Sequence, residues 1–192
     1  MKIGVHLRVK NEDNILADWI KHYLALGFDR ILLVDNMSDT PVEHTLKSAG
    51  LENLPQLRIT KDEGGFWRNG KFYRVNTQCI VWNKIISENH DLDWLFFCDA
   101  DEFLWCSSFS NILTATLRRH CPRAISEGVV GLPCSTAVEQ RLTVKSWLAT
   151  YPDDVATVVV NWLCFGMGGA TSYDRRRPIV SQFTRREPYD FE

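Results

Sequence analysis

Three carboxylates stand within four positions at Asp99, Asp101 and Glu102, in the stretch "DWLFFCDADEF". The apolar run Trp94 to Cys98 leads straight into them, so a core strand ends where the charge begins. Two aspartates two apart can turn toward one ion when a strand has just ended. Mg²⁺ and Mn²⁺ take carboxylate oxygens at about 2.0–2.2 Å, and a site with only two protein carboxylates leaves positions for water and nucleotide phosphates. Without a cation, clustered carboxylates repel and one tends to keep its proton. The plainer reading is that Asp99 and Glu102 cap the next segment while Asp101 faces solvent. The buried strand before them, and two further polar strand ends, weigh against it.

Those two are Lys10-Asn11-Glu12 and Asp35-Asn36. "KIGVHLRV" has Ile3, Val5, Leu7 and Val9 at the period of a strand. Ile15, Leu16, Trp19, Ile20, Tyr23 and Leu24 form a helical stripe, with Gly27 placed as a C-cap glycine. "RILLVD" reads as a fully buried strand. In "DNMSDTPVEHTLKSAG", Asp39 is the expected N-cap, Pro41 falls in the first turn and Gly50 is the stop. "LPQLRIT" is a third strand and "KDEGGFWRNGK" a flexible loop. "FYRVNTQCIVWNKIISENH" is a helix with Val75, Cys79, Trp82 and Ile86 near one face, and "DWLFF" is the fourth strand. Short links between these elements predict parallel βαβ units, whose ligands bind at the carboxyl ends of the strands. All three polar clusters would then open on one rim.

The second half is less regular. "SFSNILTATLRRH" reads as a helix, "GVVGLPC" as a short strand and "VATVVVNWLCFG" as a β-rich run, while "RLTVKSWLATYPDD" is ambiguous. "MGGATSYDRRRP" is a loop and "IVSQFTRR" a last strand. One α/β domain with a mixed sheet is expected over residues 1–192.

The bulk properties exclude some classes. A net charge of -2 does not suit non-specific nucleic-acid binding. No apolar run reaches the roughly 18 residues of a membrane span. "MKIGVHLRVKNED" has no apolar signal-peptide core, so a cytoplasmic protein is expected. The six cysteines form no Cys-x-x-Cys pair and read as reduced core or near-core thiols. Most of the seven tryptophans read as core or pocket wall, with Trp67 the expected exception. The histidines are scattered; His6 reads as a core or rim residue. P-loop, Gly-x-Gly-x-x-Gly and Gly-x-Ser-x-Gly signatures are absent.

"VKNEDNILADWIKHYLALGFDRILLVDNMSDT" resembles the opening of GT-A fold nucleotide-sugar glycosyltransferases, in the family 2-like group that includes family 92-like proteins. "DWLFFCDADEFL" resembles that group's Trp-strand-Asp-x-Asp-Glu-Phe segment. Gln78 stands where the group often has a Gln. "NWLCFGMGG" and "IVSQFTRR" resemble its later Trp-x-x-Phe-Gly and Phe-Thr-x-Arg segments. The likeness covers residues 3–105 and about 155–186, and thins over 106–154. It implies a GT-A domain with a donor-binding half at about 1–105 and an acceptor-side half at about 106–192. It leaves open whether the chain is a piece of a longer protein.

The resemblance implies a metal-dependent transfer of a sugar from a nucleotide donor, UDP-linked by first expectation, to a glycan or other hydroxyl acceptor. Asp99 and Asp101 would bridge Mn²⁺ or Mg²⁺ to the diphosphate. Asp35 would meet the base or ribose, with Asn36 and Asp39 supporting that loop. Lys10, Asn11 and Glu12 would line the donor pocket, and Glu102 would orient Asp101 or meet the donor sugar. From the residues themselves, Arg68, Lys71 and Arg74 could reach phosphate and Trp67 could stack on a sugar or base; a solvated loop is the plainer reading. Trp162 and Phe165 could wall the acceptor side, or simply be core. Gly166, Gly168 and Gly169 allow close backbone approach or a turn, and Arg175 to Arg177 could recruit a charged acceptor. An inverting reaction needs a general base, for which Asp153 or Asp154 is favoured over Glu139 and Asp174. Two other classes compete: a nucleotidyltransferase, disfavoured because "VKNEDN" lacks glycines, and a non-catalytic binding domain of the same fold.

Overall fold

Ile3, Val5, Leu7 and Val9 alternate in the sequence, yet Gly4 and His6 between them are buried too. A strand buried on both faces belongs in the middle of a parallel sheet with helices on either side. The computed structural model of the chain describes residues 1–104, 143–160, 165–166, 174 and 185–186. Its elements run β1 (Ile3–Val9), α1 (Leu16–Ala25), β2 (Arg30–Asp35), α2 (Val42–Ser48), β3 (Leu57–Lys61), β4 (Gly65–Arg68), β5 (Lys71–Arg74), α3 (Gln78–Glu88) and β6 (Trp94–Phe97). Beyond these are α4 (Val144–Leu148), β7 (Phe165–Gly166) and β8 (Arg185–Arg186). The chain divides into two units, residues 1–104 and 105–192.

The first unit is built on a four-stranded sheet in the order β3-β2-β1-β6. Every pairing in it is parallel, with Val5 opposite Ile31 and Phe96, and His6 opposite Leu32 and Phe97. This is a Rossmann-like arrangement in the general sense. The mixed sheet expected from the sequence is parallel among the described residues. On one face Leu32 and Val34 pack with Val81 and Ile85 of α3. On the other, an aromatic chain runs from Tyr23 of α1 through Phe28 to Phe96, each ring 5.2 Å from the next. Phe96 lies beside Val5 in register and shares its face, so α1 covers that side.

Leu16, Trp19, Ile20 and Tyr23 are the buried stripe of α1, at helical spacing. The helix ends where Gly27 takes φ +86. Gly27 N–H then bonds Leu24 O, and Phe28 N–H bonds Tyr23 O, closing the last turn with the Tyr23–Phe28 ring contact across it. Gly50 closes α2 in the same way, with Leu51 N–H on Leu46 O.

Several sequence expectations are corrected. Asp39 does not cap α2: Pro41 holds that position, with no side-chain cap, and Asp39 is bonded to Asn11 instead. The expected loop is a hairpin, β4 against β5, because Asn69 and Gly70 both take positive φ in a two-residue turn. Helix α3 begins at Gln78, not at Phe72, and buries Val81 and Ile85. Of the proposed stripe, Val75, Cys79 and Ile86 are exposed, while Trp82 is half-buried against Phe97. Cys79 is therefore not a core thiol, whereas Cys98 is half-buried.

In the second unit α4 starts at a reciprocal cap between Thr143 and Ser146, and buries Val144 and Leu148. β7 and β8 pair antiparallel. Residues 155–160 carry no regular structure. The β structure expected over 155–160 is thus not formed, while the helix and strand expected within 106–142, and residues 161–164 and 179–184 of the two late β-rich runs, lie outside the described residues. Among the described residues no helix is long and apolar enough to cross a membrane.

Gly27→Ala places a Cβ in the left-handed region, which costs about 1–2 kcal/mol. Urea unfolding should show a loss of that size; an unchanged midpoint would contradict this end to α1.

Candidate functional site

The chain places β2 and β3 on one side of β1 and then crosses to put β6 on the other. The order reverses between β1 and β6, and in open parallel sheets that switch point leaves a crevice at the carboxyl ends of the strands. The loop after β1 carries Lys10, Asn11 and Glu12. The loop after β6 carries Asp99, Asp101 and Glu102. Burial, and then the negative charge of Asp101, Asp13 and Asp99, raise the pKa of the Glu12 carboxyl. Acidic side chains from two separate loops therefore share one field, as the sequence patterns anticipated for Glu12, Asp99 and Asp101.

The segment from Asp99 to Leu104 is held from beneath by α1. The fully buried Trp19 donates its indole N–H to Asp99 O at 3.1 Å. Tyr23 donates its hydroxyl to Glu102 O at 3.2 Å and accepts from Leu104 N–H at 3.2 Å. His22 Nε2 lies 2.9 Å from Leu104 O. Burial lowers the His22 pKa to about 4, against the partial opposition of that carbonyl. The ring is thus neutral at pH 7 and its Nε2 carries the donated proton. Burial also pushes the Tyr23 hydroxyl up, and raises the Cys98 thiol to about 11. Both stay protonated.

Glu102 has a definite place in this geometry. Its Oε2 accepts from Asp99 N–H at 2.8 Å, while its own N–H bonds Asp99 O at 3.1 Å. It fixes the turn that carries Asp99 and Asp101. The capping role anticipated for both ends of the turn belongs to Glu102. Trp19, His22 and Tyr23 were read from the sequence only as core and scattered residues. Trp19 and Tyr23 sit one helical turn apart on the buried stripe and His22 stands beside Tyr23 at its edge, and the count of apolar positions does not register their polar tips.

On the other side of β1, Asp35 is buried and its Oδ1 accepts from Ser38 N–H at 2.9 Å. Asn11, at φ +60, donates Nδ2–H to Asp39 Oδ2 and accepts Asp39 N–H, at 2.9 and 2.7 Å. Its own N–H bonds Ser38 Oγ. The loops after β1 and β2 are so joined into one wall. Asn36 Oδ1 is buried without a hydrogen-bond partner.

Arg8, Asp62 and Thr77 form a knot at this edge that the sequence did not reveal. Arg8 Nη2 bonds Asp62 Oδ2 and Thr77 Oγ1, and Thr77 Oγ1 bonds the same Asp62 oxygen, all at 2.6 Å. Burial works to raise the Asp62 pKa but is outweighed by Thr77, Gly64 N–H and Arg8, so it falls below the usual value. The knot anchors the base of the β4–β5 hairpin through Gly64 N–H on Asp62 Oδ1. On that hairpin Arg68 and Lys71 face each other across the tip, both exposed. Arg74 lies in β5 opposite Gly65. Trp67 is exposed, as expected.

Asp153 and Asp154 belong to the second unit and are exposed, in a turn closed by Val155 N–H on Pro152 O. Phe165 and Gly166 are in β7, and Asp174 is half-buried. Glu139, Trp162, Gly168, Gly169 and Arg175 to Arg177 lie outside the described residues. A cleft of about 420 Å³ lined by Arg30, Arg58, Asn89 and Asp91 opens instead near the amino ends of β2 and β3. Among the described residues no three His, Cys, Asp or Glu side chains are grouped so as to hold a metal. No protein-family model matches the chain, and no curated protein matches it.

Two measurements check this geometry. Asp101→Asn removes a negative charge beside Glu12, so a carboxyl NMR titration should show the Glu12 midpoint falling; an unmoved midpoint would separate the two loops. The unfolded His22 imidazole binds a proton below about pH 6.5, while the folded one does so only near pH 4. Its contribution, about 3 kcal/mol, is therefore present above pH 6.5 and lost as pH falls toward 4. His22→Gln should flatten the fall in unfolding free energy between pH 7 and 5; an unaltered slope would contradict the burial.

Proposed function

We propose that the protein is a GT-A type glycosyltransferase that moves a sugar from a UDP-sugar to a hydroxyl of a carbohydrate acceptor, with Mn²⁺ or Mg²⁺. The observation that carries this reading is that Glu12, in the loop after β1, lies in the electrostatic field of Asp99 and Asp101, in the loop after β6, on either side of the switch point. The side chains of Asp99 and Asp101 make no hydrogen bond to any described residue, whereas Glu102 and Asp35 each engage an amide.

The donor set suits a hard cation held by two carboxylates, with water and phosphate filling the rest. Bound there, such an ion would offset the charge that grows on the leaving diphosphate. Asp99 and Asp101 are the residues that would hold it, on a turn fixed by Glu102. The wall made by Asp35, Asn36 and Asp39 is assigned to the nucleoside. Asn36 Oδ1 suits an N–H or hydroxyl donor, such as the imide of uracil or a ribose hydroxyl. Asn11 and Asp39 keep that wall in place, and Lys10 lies beside it in the loop after β1.

Calorimetry with UDP tests the reading directly. The intact chain should bind UDP with Mn²⁺ present and lose at least tenfold in affinity with EDTA or in Asp101→Ala. Binding that ignores both changes, or no binding by well-folded protein, would sink it.

A further inference from the structure

The β4–β5 hairpin presents two faces, set by its register. Trp67 and Phe72 share one, and Phe66, Tyr73, Arg68 and Lys71 share the other. On the second face the Phe66 and Tyr73 rings lie nearly parallel, 18° apart with centroids at 5.7 Å. Phe66 is 45% exposed and Tyr73 41%. Lys71 Nζ sits 5.6 Å from the Tyr73 ring centroid, within cation–π range. Two half-exposed aromatic rings, stacked on one another, and two exposed cations therefore share one face of the hairpin.

We infer that this face of the hairpin is a docking platform for an acidic carbohydrate acceptor. Aromatic rings offer large, rigid contact area, and sugar rings carry apolar C–H faces that stack on it. Arg68 and Lys71 supply the charge complement for carboxylates or sulfates on the chain. A nucleotide suits the surface poorly, because small ligands need a concave site that buries most of their area. A nucleic-acid strand suits it poorly too, since affinity there rises with the number of phosphates neutralised and this face offers two cations. A short acidic oligosaccharide can set a sugar ring against the exposed part of this aromatic pair and its carboxylates against Arg68 and Lys71.

The platform is already ordered. The Asn69–Gly70 turn fixes its tip, and Val75 N–H on Gly64 O closes its base. Gly65 has no room for a side chain, because a Cβ there would meet Tyr73 O. Little conformational entropy is lost when a ligand settles on such a surface.

The word "acceptor" rests on the glycosyl-transfer reading; the binding itself does not. Calorimetry on the full chain should compare tetragalacturonate, neutral maltotetraose and UDP with Mn²⁺. The variants are Arg68→Gln with Lys71→Gln, and separately Tyr73→Ser, each checked for folding by circular dichroism. Tetragalacturonate should bind the wild type, at least tenfold more weakly to either variant, and maltotetraose at least tenfold more weakly than its acidic counterpart. UDP affinity should not change in the variants. Loss of UDP binding in them would place the cations at the donor instead and overturn the inference. Equal carbohydrate binding by all three proteins, no tetragalacturonate binding by the wild type, or a stronger preference for oligo-dT would overturn it as well. Tetragalacturonate binding without any UDP binding would uphold the platform while sinking the transfer reading.

Discussion

Everything at the rim depends on how the backbone from Asp99 to Leu104 is held against the repulsion of its own carboxylates. The indole of Trp19, the hydroxyl of Tyr23 and the imidazole of His22 all bond main-chain groups of that segment from the buried side of α1. Each such bond contributes about 1 kcal/mol net, and losing one partner in a buried setting costs more. In this low-dielectric setting linked hydrogen bonds strengthen one another. The consequence is a division of labour. The backbone is satisfied from below, Glu102 satisfies it from above, and the side chains of Asp99 and Asp101 make no hydrogen bond among the described residues.

The loop after β1 extends this order across the sheet. Asn11 ties it to Asp39 on one side, and Glu12 lies in the field of Asp101 and Asp99 on the other. A left-handed asparagine at the end of a central strand is what allows the chain to turn sharply enough for both. Beyond β3, the Arg8–Asp62–Thr77 knot performs a parallel task for the hairpin. Charged groups inside the edge of the sheet are thus matched by hydrogen bonds rather than left to repel.

Much of the first unit was legible in the sequence because burial periodicity is strong there. β1, α1, β2, β3 and β6 all fall where apolar spacing puts them, and Gly27 and Gly50 end their helices as C-cap glycines should. The rim was legible because polar residues follow buried runs abruptly. Asp39 was misplaced because an aspartate before a helix looks alike whether it bonds its own chain or another loop. The hairpin was missed although Asn69-Gly70 is a strong turn signal, because the flanking glycines and charges resemble a loop. The face of α3 was misread because Val75, Cys79, Trp82 and Ile86 are spaced as well as Val81 and Ile85; which stripe meets the sheet is decided by packing. The tips of Trp19, His22 and Tyr23 were invisible because their partners, main-chain carbonyls and an amide about eighty residues away, have no signature in the sequence.

The central claim is that the carboxylates after β1 and β6 form one cation-and-nucleotide site at the switch point. Paramagnetic broadening by Mn²⁺ in a ¹⁵N-resolved NMR spectrum, with and without UDP, tests it most directly. The account predicts that the amides of Asp99, Ala100, Asp101 and Glu12 broaden first, at lower Mn²⁺ when UDP is present, and that Asp101→Asn abolishes the effect. Broadening centred elsewhere, or the same pattern in Asp101→Asn, would contradict it.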